Sequence, residues 1–280
     1  MAATRAAAVE ELLVSRVDDS RRPTVELVVT PPTDLADDRL APSAFRVRVG
    51  EEAPPVEVEH LAVEALDVVL LVDTSIGVAP LVEVREALAA FAASLPEARF
   101  TVLTAGGVPT AAPSSEPEAV AAAVAELAQA PRQFSRAAVS RAFDLPRADT
   151  ARRVVIAFSG RSDQLATRAL DAVGGRRGTA DTVLHHVFLT PGSRGLKALA
   201  ASSGGRSLEA TSPAGLDEAF GDIASQLANE YRITFPVDAG VDEVTVEIGA
   251  GGEVGGWRHH QFDGGTAAVV DSRHEQLLDR

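Results

Sequence analysis

Residues 67–77 read Asp-Val-Val-Leu-Leu-Val-Asp-Thr-Ser-Ile-Gly: five unbroken apolar residues run into an acidic, hydroxyl-rich turn, and a helical pattern follows at once. A short apolar run without polar alternation marks a strand buried on both faces, as in a parallel sheet covered by helices. The order strand, polar loop, helix then puts Asp73 and Ser75 at the carboxyl end of a strand, where open α/β sheets build their ligand sites.

Working outward toward the C-terminus, strands and helices alternate, the signature of parallel βαβ units. Pro80 falls in the first turn of a helix whose Leu81, Val84, Leu88 and Phe91 recur at three- and four-residue spacing. Residues 99–104 read as a strand. Ser115 and Glu118 are spaced as a capping box, which predicts a helix to about residue 130. A further helix is expected over 135–145. Residues 152–158 form a second strongly apolar strand, closed by Ser159 and Gly160, with Ser162 placed to cap the next helix. Strands are expected over 183–189 and 206–210, a short helix over 194–201, and a longer helix from Ser212 and Pro213 with Leu216, Phe220, Ile223 and Leu227 in one stripe.

The flanks have a different texture. Phe45, Val47 and Val49 alternate with Arg46 and Arg48, and Val56, Val58 and their acidic neighbours alternate again beyond a turn at 50–55; this predicts a hairpin. Residues 24–30 read as another strand. Tyr231, Ile233 and Phe235, then Val244, Val246 and Ile248, repeat the same period of two. A small sheet alone is marginal, so the economical arrangement joins both flanks in one antiparallel β-sandwich with the α/β domain inserted. The expected layout is an N-terminal segment 1–22, a discontinuous β-sandwich from 23–63 and 230–263, an α/β domain over 64–229 with a doubly wound, mostly parallel sheet, and a tail over 264–280. Residues 249–256 form a glycine-rich loop, and Asp18, Asp19, Asp34, Asp37 and Asp38 read as solvated loop charge.

Composition excludes several functions. The chain has 280 residues, 46 % hydrophobic and 24 % charged, an ordinary globular balance. A net charge of −14 argues against nucleic acid, whose phosphates need a clustered basic face. Lys197 is the lone lysine among 26 basic residues, and there is no Cys, hence no disulfide and no thiolate chemistry. The first residues carry acids where a signal peptide would have its apolar core, and no stretch approaches the roughly 20 apolar residues of a membrane span, so no membrane insertion is expected.

The strand, the turn at 73–75, the amphipathic helix after it and the later apolar strand ending at Ser159 together resemble the von Willebrand factor A (vWA) family over residues 66–229. That resemblance implies a metal-ion-dependent adhesion site built from an Asp-x-Ser-x-Ser turn, a Thr from a later helix and an Asp from the fourth strand, holding Mg²⁺ or Mn²⁺. Hard divalent ions want about six oxygens, which alternate positions of one loop and distant loops supply together. Asp73 and Ser75 match the pattern. Gly77 stands in place of the second Ser, Ala137 in place of the Thr, with Ser135 as a substitute oxygen if the register slips by two, and Ser159 in place of the Asp. The site thus reads as degenerate. The resemblance implies a non-enzymatic protein-binding or scaffolding module using the rim of Asp73, Thr74, Ser75, Gly77, Ser135, Ala137 and Ser159, with 74–78, 135–138 and 159–163 as its loops. No cofactor is expected. The alternative is a Mg²⁺- or Mn²⁺-dependent adhesin using Asp73 and Ser75 as metal ligands. Bacterial secreted or surface proteins with a vWA domain beside an Ig-like β region share this arrangement, which implies an extracytoplasmic location and a protein partner.

Against the rim reading of Asp73 stands a plainer one, a carboxylate accepting backbone N–H groups of its turn, with Ser75 as a helix N-cap. His185 and His186, and His259 and His260, are adjacent on strands and so point to opposite faces; one packed and one solvated imidazole is expected in each pair. Residues 173–178 suggest a phosphate loop by composition, yet follow a helix, and read as a helix stop. A hydrolase using Ser159 requires a base within hydrogen-bond reach, for which the sequence offers no motif.

Overall fold

The structure, a computed structural model, describes residues 12–21, 23–32, 35, 39–131, 134–146, 152–160, 182–189, 194–237, 243–248 and 258–263. The chain divides into two compact units, Met1–Leu61 with Asn229–Arg280, and Ala62–Ala228. The expected cap by Ser162, the turn at 173–178 and the glycine-rich loop lie outside the described residues.

In the second unit β5 (Leu66–Val72), β6 (Arg99–Thr104), β7 (Arg152–Ser159), β8 (Thr182–Phe188) and β9 (Ser207–Glu209) form one sheet in the order β6-β5-β7-β8-β9, every pair parallel. Alternate residues of each strand feed two cores. Leu66, Val68, Leu70 and Val72 pack with α1 (Val78–Ser94), α2 (Pro117–Ala125) and α5 (Pro213–Ala228), while Val69 and Leu71 pack with α3 (Arg136–Asp144) and α4 (Arg194–Ser202). Both faces are covered, which is why the strands read as continuous apolar runs. The sheet is α/β and doubly wound, as expected.

Where this sheet starts, a buried ion pair ties three elements. Arg153 and Asp67 face each other across β7 and β5; the Arg153 guanidinium donates to Asp67 from Nε at 3.2 Å and also from Nη2, and it reaches the carbonyls of Phe143 in the last turn of α3 and of Leu145 and Pro146 just past it. With every donor direction answered, the buried charge is tolerated. The outer edge of β6 is covered by the returning chain, Phe100 exchanging hydrogen bonds with Ser114 and Thr110 donating to Val102. A covered edge does not invite strand addition.

The helix expected to run to about residue 130 ends at Ala125, and its capping box does not form: Glu116 occupies the N-cap without a side-chain bond, and Ser114, not Ser115, accepts from the Glu116 N–H at 3.0 Å. Beyond it the chain is held by other partners, Arg85 Nε bonding the Leu127 carbonyl at 3.0 Å and Ala130 N–H donating to the Thr74 carbonyl at 3.1 Å.

The first unit contains two antiparallel sheets, β1-β2-β10-β4 and β12-β11-β3, from β1 (Leu13–Arg21), β2 (Thr24–Thr30), β3 (Phe45–Val49), β4 (Glu57–His60), β10 (Tyr231–Pro236), β11 (Glu243–Ile248) and β12 (Arg258–Asp263). Leu27, Val29 and Ile233 from one sheet share a core with Phe45, Val47, Val246 and Ile248 from the other, and Phe45 meets Tyr231 at 4.8 Å between ring centroids. Early and late strands do build this unit together. The expected hairpin over 44–60 is not there: β3 pairs with β11 and β4 with β10, so the link between them passes from one sheet to the other. Val49 and Glu52 close a tight turn at Gly50, whose φ of +61° suits glycine, and Pro54 and Pro55 then carry the chain away. Residues 13–21, which fall in the expected N-terminal segment 1–22, form a strand that pairs with β2, and Asp18 lies on this strand in an ion pair with Arg16 at 3.1 Å, not in a solvated loop.

Candidate functional site

The chain leaves β5 through α1 to β6 on one side and later places β7 on the other side of β5. The topological switch point therefore lies between β5 and β7, flanked by the loops after Val72 and after Ser159. These loops are stitched together. Asp73 N–H donates to the Phe158 carbonyl at 2.9 Å, and Ile76 is buried against Gly160, where a Cβ would come within 1.8 Å of Ile76 Cγ2. Glycine at 160 is a packing requirement.

Asp73 is 0 % exposed, and its Oδ1 accepts the Ser75 N–H at 2.8 Å. That is the plain turn-stabilising role. Its other oxygen is unused: Asp73 Oδ2, Thr74 Oγ1 and Ser75 Oγ are buried without a hydrogen-bond partner. Such orphans in one turn are uncommon and call for a ligand, an ion or water. Ser75 is not the N-cap of α1; Gly77 is, without a side-chain bond. Gly77 has φ −61°, an ordinary value, and a Cβ there would meet Pro80 Cδ at 3.6 Å, so backbone and space both permit a side chain.

Ser135 is the N-cap of α3, its Oγ accepting from Ala138 N–H at 3.1 Å, and Ala137 is exposed in the first turn. The sequence-derived substitute oxygen is thus engaged in helix capping. Gly107, at φ +75°, lies 3.1 Å by its Cβ position from Ala138 Cα, bringing the loop after β6 against the start of α3; Val108 next to it is 62 % exposed.

Ser159 is 1 % exposed, and its Oγ lies 2.7 Å from His186 Nε2. Both His185 and His186 are fully buried, against the expectation of one solvated ring, because β8 has sheet neighbours on both sides and helices on both faces. His185 Nδ1 accepts from Arg206 N–H at 3.2 Å. Burial pushes the His186 imidazole down to about 3, with the Lys197 charge adding to the effect; burial, then Arg206, does the same to His185. Lys197 Nζ sits 4.3 Å above the Phe188 ring, which stacks beside His186 at 5.1 Å. The base that a Ser159 nucleophile requires is present, yet His186 Nδ1 has no partner and the hydroxyl is closed off from solvent. Triad chemistry needs a third group to orient the base and an open approach to the nucleophile. We read the pair as an internal polar tie between β7 and β8. The side chains of His259 and His260 lie outside the described residues.

A divalent ion is the group that the vWA resemblance implies. The free donors are one carboxylate oxygen and two hydroxyls from three consecutive residues, while Gly77 and Ala137 offer no oxygen and those of Ser135 and Ser159 are engaged. Among the described residues no group of three or more His, Asp or Glu is placed to hold a metal. One carboxylate is a poor exchange for the hydration shell of Mg²⁺, and the residues present do not fit it.

No family model matches the chain, and no curated protein matches it. Solved structures give likenesses of fold. A von Willebrand factor type A protein from Catenulispora acidiphila aligns at TM-score 0.48 and 13 % identity, over 90 % of this chain and 70 % of that one. The manganese-loaded TRAP protein of Plasmodium vivax aligns at 0.46 and 14 %, over 77 % of this chain and 100 % of that one. The conserved hypothetical protein BatB from Bacteroides thetaiotaomicron aligns at 0.44 and 9 %, over 57 % of this chain and 98 % of that one. At these values the likenesses carry no functional weight; strand order and the two helical layers define the fold.

Proposed function

We propose that this chain is a non-enzymatic, vWA-like protein-binding module of a bacterial secreted or surface protein, that it engages its partner through the loop rim at the carboxyl ends of β5, β6 and β7, and that it does so without a metal. One observation carries the reading. The exposed large apolar side chains among the described residues are Val78 at 66 %, Val82 at 42 % and Val108 at 62 %, and they stand on the first turns of α1 and on the loop after β6, all toward the switch-point end of the sheet. Exposed apolar side chains support a docking surface where they gather at one end of the fold beside a ligand-site loop. Among the described residues no helix is long and apolar enough to cross a membrane. Partner capture by the immobilised chain in chelator, identification of the captured protein and affinity measurement with Val78→Asp and Val108→Asp test the rim; unchanged affinity in both would refute it. Fractionation of the source cells tests the location, and recovery with the cytosol would refute that part.

The second reading, a Mg²⁺- or Mn²⁺-dependent adhesin, draws on the orphan oxygens of Asp73 and Ser75, completed by water and a partner carboxylate. Calorimetric titration separates the two readings.

A further inference from the structure

The oxygens left over in the 73–75 turn have a chemistry of their own. Asp73 is withdrawn from solvent, one of its oxygens is unanswered, and none of the ion pairs among the described residues involves it. A buried carboxylate without a counter-charge is costly, so the site is poised to take a cation. The donor set is too small and too weakly charged for a divalent metal, as set out above. It suits an organic cation instead. We propose that the Asp73 and Ser75 oxygens receive the ammonium group of a lysine side chain of the protein partner, an inference that rests on the rim reading and names the partner's chemistry.

Valence and shape select lysine. An ammonium carries three donors on a compact charge, and Asp73 Oδ2 with Ser75 Oγ answers two of them, Thr74 Oγ1 being a third orphan in the same turn. Arginine binds carboxylates best through a two-pronged fork, and that fork needs both carboxylate oxygens. Asp73 Oδ1 is already taken by the Ser75 N–H, so a single oxygen is on offer.

Access and surroundings agree. The receiving oxygens are themselves buried, so the ammonium is taken up as the turn opens at its exposed end: Ser75 is half-buried, Gly77 is exposed and carries no side chain, and Val78 beside it offers apolar surface to the methylene stem of an incoming lysine. The net charge of −14 draws a basic partner toward the surface before contact.

The test is titration of the ¹⁵N-labelled full chain with Nα-acetyl-lysine methylamide, followed by amide resonances, with the norleucine and arginine analogues and MgCl₂ as comparison arms. The lysine probe should shift the amides of residues 73–78 saturably, the norleucine analogue should not, the arginine analogue should bind several-fold more weakly, and MgCl₂ should leave these amides in place. Asp73→Asn, which keeps the Oδ1 acceptor for Ser75, should retain the dispersed spectrum of the folded chain and weaken the lysine probe by about tenfold or more. Absence of a saturable lysine shift, an equal shift with norleucine, tighter binding of the arginine analogue, or displacement of the lysine probe by Mg²⁺ would overturn the inference. If the lysine probe is silent while Val78→Asp still abolishes partner binding, this inference falls and the rim stands; if partner affinity survives Val78→Asp and Val108→Asp, the rim itself is wrong.

Discussion

Gly160 and Ile76 interlock across the switch point: Ile76, 4 % exposed, fills the space where residue 160 would carry a Cβ, and the distance left for one is 1.8 Å. Two loops from different strands thereby hold one shape. Gly160→Ala must push Ile76 outward, at a cost of about 1–3 kcal/mol. Urea unfolding of Gly160→Ala, Ile76→Ala and the double variant checks this; the double should be less destabilised than the sum of the singles, and strict additivity would show that the residues do not touch.

Stability should fall on acidification through the two buried imidazoles. Unfolded histidines take up protons below about pH 6.5, whereas His185 and His186 resist until about pH 3, so the unfolded state binds more protons within that window and stability rises with pH across it. Each imidazole contributes a slope of about 1.4 kcal/mol per pH unit once well below pH 6.5. Denaturant midpoints for wild type and His186→Asn between pH 5 and 7.5 should differ by one proton's share, and parallel pH profiles would contradict the burial of His186.

Removing one member of the buried Asp67 and Arg153 pair leaves a charge or a set of carbonyls unanswered. Arg153→Met should destabilise by about 3–5 kcal/mol, and Asp67→Asn combined with it should recover part of that loss. Thermal melting of wild type and the two variants decides it; a melt for Arg153→Met within a degree of wild type would show that the pair carries no structural weight.

Gly77 is dispensable as glycine. Gly77→Ser should raise stability by a few tenths of a kcal/mol by supplying the missing cap of α1. Calorimetric titration of the wild type with millimolar Mg²⁺ and Mn²⁺ should give no heat of binding, and Asp73→Ala should be indistinguishable from it; metal-dependent heat lost in Asp73→Ala would establish the adhesin reading instead.

What could be read in the sequence follows from what periodicity reports. Period and apolar runs reveal which faces are buried, so β5, α1, β7 and the stripe of α5 were legible from Val68, Leu81, Val154 and Phe220 alone. They do not name partners, and so β3 and β4 looked like one hairpin although they belong to different sheets. The strand β1 was hidden because its register slips between Val14 and Arg16, which buries Ser15 and breaks the alternation. At the site, the placement of Asp73 was legible from its strand, and Gly77 as a missing oxygen from its spacing. The contact of Ser159 with His186 was not, since it joins neighbouring parallel strands 27 residues apart in the chain. Polar residues set within an apolar strand, as His185 and His186 are within β8, were the available signal.

The rim is tested most directly by the affinity of the captured partner for wild type, Val78→Asp and Val108→Asp, measured with and without EDTA. We predict a loss of about tenfold or more for either substitution, on the order of 1.4 kcal/mol, and no effect of EDTA on the wild type. Wild-type affinity in both variants would contradict the rim, and collapse of wild-type affinity in EDTA would contradict its independence of metal.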